Sequence, residues 1–439
     1  MKNQLVFTLC VAFTALSAGC EEQSATPLAS NVDVTIDSIS TDTVAAPETV
    51  DAGPEPDLCG PITGLRPQRR SEHAGVYDAE GHQLVIFGGS TGVPVMCGYP
   101  TPTFETETWI YDIACDRWRV LDGAAPPGRV RHMAAYDSAE RRMIIWGGRQ
   151  GAPGGGYIAM DDAWALDLET ETWSQLPTTA APQARVNGAF VYDASRHRVI
   201  LFGGNTSTSI EYIANDDIWT LDLNTNTWAP LQVASSASPS KRLFPAALWD
   251  NTRDRMVIYG GSDETAFGNN AKYFDDTWAL DFSGTVPTWI PLDDGGYRPP
   301  GRFWGRFVYS DSADAYFLFG GHDDGNLGNR NDLHRMYPDS GGWEVVRQGD
   351  TYNKPANGFC DFPPDFTNVD MDSPERRSGH IFVGAGDQAW TIAGKTDCGV
   401  IDDCFEVDLQ SGEWTELTTP TTGETCLRGG GLSCTSMCL

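Results

Sequence analysis

The chain has 439 residues, with 60 Asp and Glu against 30 Lys and Arg, a formal net charge of −30. So acidic a balance excludes a nucleic-acid partner, because phosphate binding needs a basic face. The 14 Trp and 47 Gly point to many large packing side chains and many turns.

Residues 1–19 carry a Lys at position 2, an apolar run from Leu5 and small residues before Cys20. The run is too short to cross a bilayer and reads as a signal peptide. The ending LSAGC resembles the lipobox of bacterial lipoproteins, apart from Ser17 where Leu is usual. That resemblance implies a lipidated Cys20 as mature N-terminus. It also implies a chain anchored in the cell envelope, at the outer membrane. Residues 20–58 are rich in Ser, Thr, Pro and acids and lack Lys and Arg. Such a segment cannot bury enough apolar surface to fold, and a disordered tether is expected.

From residue 65 onward the chain repeats. Apolar runs end in paired glycines: LVIFGG, MIIWGG, VILFGG, MVIYGG and YFLFGG, with a degraded sixth copy in TIAGK. The last glycine of each copy stands at 89, 148, 204, 261, 321 and 394, steps of 59, 56, 57, 60 and 73 residues. Periods of this size mean a propeller or solenoid. Other positions keep step. Arginines 70, 129, 185, 242, 302 and 377 precede the runs. Acids two residues before a ring follow them, as in Asp162 with Trp164 and Asp217 with Trp219. Blades five and six keep the acid but place His334 and Phe405 at the ring position. A second tryptophan closes each unit, at 118, 173, 228, 289, 343 and 414.

Each unit therefore reads as four short strands, a to d. Strand a follows the arginine, b ends at the glycines, c follows the acid, and d carries the last Trp. Over residues 65–419 the pattern resembles the kelch repeat. The resemblance implies an all-β, six-bladed β-propeller of four-stranded antiparallel blades around a central channel. The blades are expected at about 65–122, 123–179, 180–236, 237–294, 295–348 and 370–419 within a propeller of 59–425, before a Cys-rich tail at 426–439. The paired glycines would let strand b end near the crowded axis, and the tryptophans would fill the wedge between blades.

Both end blades supply four strands of their own, so no borrowed strand is needed to close the ring. Cys59, Cys97, Cys115, Cys360, Cys398, Cys404, Cys426, Cys434 and Cys438 all fall in blade one, in the lead into and body of blade six, or in the two tails. An exported chain favours disulfides. These cysteines are expected to staple the seam, with connectivity left open by the sequence.

The arginines and acids recur six times, which suits a scaffold better than a ligand. They are expected to pair and tie the loops down. Unlike residues stand two positions beyond each arginine: Glu72, Arg131, Asn187, Phe244, Trp304 and Gly379. Strand alternation points them at the channel mouth. With the neighbouring Arg129, Arg185 and Arg302 they form the candidate ligand-binding set. The b–c loops beside them carry Tyr99, Phe104, Arg149, Tyr157, Tyr212, Phe267, Tyr273 and Phe274, and such loops are usual sites of recognition. His73, His132 and His380 fall in register three residues after their arginines. Whole blades separate them, so no metal site is assigned, and no cofactor is implied.

The resulting expectation is a monomeric, envelope-anchored binding module for a protein or glycan, with no catalytic residue. One alternative is a sugar-active enzyme, since kelch relatives include a sialic acid mutarotase; Glu72 beside Arg131 and Arg129 would be its acid–base group. A second alternative is a purely structural envelope protein.

Overall fold

The computed structural model describes residues 59, 64–92, 103–153, 156–207, 211–234, 237–266, 271–323, 328–352, 367–396 and 399–420. Cys20, the tether, Tyr99, Phe267 and cysteines 97, 360, 398, 426, 434 and 438 lie outside the described residues.

Blade one is β1 (Ala74–Asp78), β2 (Gln83–Phe87), β3 (Thr108–Asp112) and β4 (Arg117–Val120). Blade two is β5 (Met133–Asp137), β6 (Arg142–Trp146), β9 (Ala163–Asp167) and β10 (Thr172–Leu176), with a hairpin of β7 (Arg149–Gly151) and β8 (Tyr157–Ala159) inserted before β9. Blade three is β11 (Ala189–Asp193), β12 (Arg198–Phe202), β13 (Ile218–Asp222) and β14 (Thr227–Pro230). Blade four is β15 (Ala246–Asp250), β16 (Arg255–Tyr259), β17 (Thr277–Asp281) and β18 (Thr288–Pro291). Blade five is β19 (Arg306–Ser310), β20 (Ala315–Phe319), β21 (Leu333–Met336) and β22 (Trp343–Arg347). A short pair, β23 (Thr351–Tyr352) and β24 (Thr367–Asn368), leads to blade six: β25 (Ile381–Ala385), β26 (Gln388–Thr396), β27 (Gly399–Asp408) and β28 (Trp414–Thr418).

Every blade is a four-stranded antiparallel sheet in chain order. The first strands neighbour one another round the ring, β25 meeting β1. This is the six-bladed propeller expected from the repeat.

The glycine pairs have a physical reason. Gly203 has φ 66° and Gly204 φ 93°, left-handed values that L side chains rarely adopt. A Cβ on Gly203 would sit 2.9 Å from the Arg242 carbonyl oxygen of the next blade. The close approach lets the Gly204 amide donate to that carbonyl at 3.0 Å. The same bond joins Gly89 to Arg129, Gly148 to Arg185, Gly261 to Arg302 and Gly321 to Arg377.

The d-strand tryptophans fill the wedges. Trp173 packs on Phe87 of the preceding blade, Trp228 on Trp146, Trp289 on Phe202, Trp343 on Tyr259 and Trp414 on Phe319, with centroids 4.7–5.2 Å apart.

Three of the cysteines expected to staple the seam lie among the described residues. Cys59 and Cys115 form a disulfide, both on the blade-one side. Cys404, read as a disulfide candidate, is free and buried in the seam's apolar core with Leu84, Ile86, Trp118 and Ile392. It occupies the inward face of β27, where it serves as a small apolar side chain. Across the seam Trp118 Nε1 donates to Thr418 Oγ1 at 3.1 Å, Arg66 Nη1 to the Thr419 carbonyl at 2.6 Å, and the Arg70 amide to the Ile401 carbonyl at 3.2 Å. Among the described residues, packing and hydrogen bonds join the two end blades.

Candidate functional site: the channel mouth

The repeated arginines belong to the scaffold. Arg185 donates through Nε to the Gln183 carbonyl, through Nη1 to the Gly203 carbonyl, and through both Nη atoms to Asp217. Arg129 does the same with Pro127, Gly147 and Asp162. Arg302 repeats it with Pro300, Gly320 and Asp332. All three are buried. The guanidinium groups of Arg129, Arg185 and Arg302 are thus committed inside their own blades.

The acid-x-Trp pattern has a partner too. The indole N–H of Trp219 donates to Asp217 at 2.7 Å, and Trp164 and Trp278 bond Asp162 and Asp276 at the same distance. In blade five His334 Nε2 takes this role, 2.9 Å from Asp332.

Glu72, Arg131, Asn187, Phe244 and Trp304 all line the central cavity, whose volume is about 520 Å³. They and Gly379 share one backbone conformation, with φ between 55° and 60°. That left-handed turn aims each amide at the preceding blade. Glu72 donates to the Gly379 carbonyl at 2.8 Å, Arg131 to Glu72 at 2.9 Å, Asn187 to Arg131 at 3.2 Å, Phe244 to Asn187 at 2.9 Å and Trp304 to Phe244 at 3.3 Å. A belt of main-chain bonds thus fixes the mouth while its side chains differ.

Those side chains form one cluster. Arg131 makes a two-pronged ion pair with Glu72, Nε to Oε2 at 2.8 Å and Nη2 to Oε1 at 2.7 Å. Its guanidinium also lies 5.0 Å from the Trp304 ring centroid and 5.9 Å from that of Phe244. Burial raises the Glu72 carboxyl, but the charge and hydrogen bonds of Arg131 outweigh it, helped by Arg149 and Lys395, and hold it at about 2. Glu72 is therefore an anion near neutral pH with no proton to donate. Arg149, from β7, rests its guanidinium on the Tyr157 ring at 3.7 Å. Burial and the neighbouring Arg131 pull Arg149 down to about 10.

On the other side the mouth is roofed by rings. Phe244, Trp304, Leu243, Phe303 and Ala266 form a buried cluster flanked by Tyr212 and Tyr273. Phe244 is only 2% exposed and Trp304 8%. These two shape the mouth from beneath the b–c loops, and Arg131 and Glu72 carry its charge. Arg149 and Tyr157 belong to the same rim, on a hairpin that the non-repeating loop length marks. The indole–carboxylate bonds have no signal beyond the acid-x-ring spacing.

The three histidines stand in adjacent blades six, one and two. His132 packs edge-on against Phe87 at 5.4 Å and His380 against Phe319 at 5.4 Å, each on the blade before its own. Burial and the charges of Arg70 and Arg306 pull His73 down to about 3. Burial and nearby arginines also put His132 and His380 well below the usual range. All three are neutral packing groups.

The sequence profile of the KLHDC2/KLHL20/DRC7 kelch-repeats domain matches residues 59–179 and 152–361. The chain is 27% identical to an F-box/kelch-repeat protein of Arabidopsis thaliana over 254 residues, half of each chain. It is 24% identical to kelch domain-containing protein 2 of Bos taurus over 279 residues, 58% of this chain and 64% of that protein. Its fold matches the solved structure of YjhT with a TM-score of 0.57 at 15% identity, covering 80% of this chain and 98% of the other. The chain spans less than two thirds of the length of these curated relatives. With six blades built on one arginine–glycine–acid frame, the chain belongs to the KLHDC2/KLHL20/DRC7 kelch-repeat family.

Proposed function

We propose that the protein is a monomeric, envelope-anchored binding module that holds a protein or glycan ligand at the channel mouth. One observation carries the reading: five unlike side chains and a glycine sit on a main-chain belt whose geometry repeats. A rigid frame with variable groups suits recognition. Arg131, Glu72, Arg149 and Tyr157 would make the polar contacts, with Phe244 and Trp304 as their floor. Lipid on Cys20 would hold the propeller to the membrane. The sugar-active alternative has less support, since Glu72 is held ionised by Arg131 and a general acid must keep its proton near working pH.

The test compares the wild-type protein with a Glu72→Gln/Arg131→Gln variant on a glycan array and in pull-downs from envelope extracts. The reading expects a defined glycan or protein bound by the wild type and lost in the variant. Equal capture by both would refute the mouth as the site. Mass spectrometry of the membrane fraction should find an acylated Cys20 peptide; an unmodified N-terminus elsewhere would remove the anchor.

A further inference from the structure

Five of the six inner strands begin with an apolar residue: Ala74, Met133, Ala189, Ala246 and Ile381. Blade five begins instead with Arg306. This side chain lines the central channel. Its Nε donates to the His380 carbonyl at 2.7 Å, and among the described residues its guanidinium has no ion pair. The contrast with Arg131 and Arg302, each clasped by a carboxylate, is plain.

Arg306 is half-buried, and a charge taken partly out of water without a partner is an arrangement that folded proteins disfavour. Burial pulls Arg306 down to about 10, and no carboxylate offsets it. The carboxylates on the same channel are committed or distant: Glu72 is held by Arg131, and Asp311 is exposed past the end of β19. None of the Arg306 nitrogens is a sealed, unbonded atom. Nη1 and Nη2 therefore face the channel space. The channel wall carries Ala74, Ala134, Gly188 and Ala247 together with the neutral rings of His73 and His132, both within reach of the Arg306 charge. A cavity of about 520 Å³ is in the range of small-molecule sites.

We propose that the channel is a binding site for a small carboxylate anion, clasped by the Nη1–Nη2 edge of Arg306. The planar guanidinium fork matches a carboxylate in two parallel hydrogen bonds. The small uncharged groups of the wall lower the local polarity and strengthen the pair. The wall also leaves room for the ligand's hydrocarbon part. This site stands whether or not a macromolecule docks at the mouth.

The experiment titrates the full-length protein with sodium acetate and sodium benzoate at constant ionic strength, by calorimetry and by thermal melting. One carboxylate per chain should bind saturably and raise the melting temperature, with benzoate tighter than acetate. Arg306→Met should weaken binding at least tenfold. In carboxylate-free buffer that variant should melt no lower than the wild type, because it removes an uncompensated charge. No saturable response in the wild type, or an undiminished one in Arg306→Met, would overturn the proposal. So would tighter binding of chloride or inorganic phosphate in parallel titrations. Should the variant fail to fold, a crystal of the wild type with 4-bromobenzoate decides: bromine in the channel beside Arg306 supports the site, and bromine elsewhere or nowhere removes it.

Discussion

The amide of Gly394 donates to the carbonyl oxygen of Arg70 at 2.9 Å, joining the last blade to the first. It is the same bond that links Gly204 to Arg242 and Gly261 to Arg302 between ordinary neighbours. The seam is therefore one more inter-blade junction, although its apolar core uses Ile392 and Cys404 in place of a strand-end ring.

Reduction should weaken the protein without opening the ring. The Cys59–Cys115 bond closes a loop within the blade-one side, and such a crosslink contributes about 2–4 kcal/mol. Denaturant melts with and without reductant should differ by that amount. Peptide mapping without reduction should recover the Cys59–Cys115 bridge and alkylate Cys404 only after unfolding. Recovery of Cys404 in a disulfide would contradict the seam described here.

The scaffold ion pairs should be worth far more than those on the surface. Arg302 and Asp332 are both buried. Removing one partner, as in Arg302→Met, strands the other charge and should cost about 3–5 kcal/mol. The Arg119–Glu171 pair is exposed on both sides, and Arg119→Ala should cost less than about 1 kcal/mol. Equal effects of the two substitutions in chemical denaturation would refute the distinction.

Acid should destabilise the propeller well above the carboxylate range. Burial holds His73 at about 3, against an ordinary value of 6.5, and His132 and His380 shift the same way. The unfolded chain then binds more protons than the native one below pH 6.5, so stability falls as pH falls from there. Each such histidine costs about 1.4 kcal/mol per pH unit inside its window. For His73 the window runs from 6.5 down to about 3. A flat unfolding free energy between pH 6.5 and 5 would rule this out. His132→Gln, which cannot titrate there, should shallow the slope.

The mouth offers one clean probe and one poor one. Trp304 is packed among Phe244, Phe303 and Leu243, so Trp304→Ala should cost about 3–5 kcal/mol and confuse binding with unfolding. Glu72→Gln/Arg131→Gln removes both charges of one pair and should change stability by less than about 2 kcal/mol. Melting curves of the two variants check this directly.

The architecture was legible because the repeat exposes it. Six copies of arginine, glycine, acid and tryptophan separate what the scaffold needs from what it tolerates. The same logic picked out Glu72, Arg131 and Trp304, since residues that break a strict repeat stand free of its constraints. It failed where chemistry depends on depth. The recurrence of Arg129 and Arg302 marks them as scaffold groups paired with the acids, but the carbonyls that enclose each one are not legible in the sequence. Phe244 and Trp304 fall in the correct ring, yet the loops that cover them are too irregular to place from sequence. Cys404 fell among eight other cysteines, and nothing in its spacing says that it faces the apolar seam. Arg306 is invisible for a related reason: a single charge in an inner strand breaks no motif.

The belt at the mouth has a use beyond recognition of one ligand. Glu72, Arg131, Asn187, Phe244 and Trp304 already hold φ near 55–60°, a conformation costing L residues roughly 1–2 kcal/mol each. The price is met by the backbone, irrespective of which side chain is present. Glu72, Arg131 and Asn187, with Gly379 as a fourth, therefore form a natural randomisation site, whereas Phe244 and Trp304 are held by their packing. A display library varying only these letters would sample new specificities on an unchanged frame, with asparagine and glycine the substitutions best tolerated.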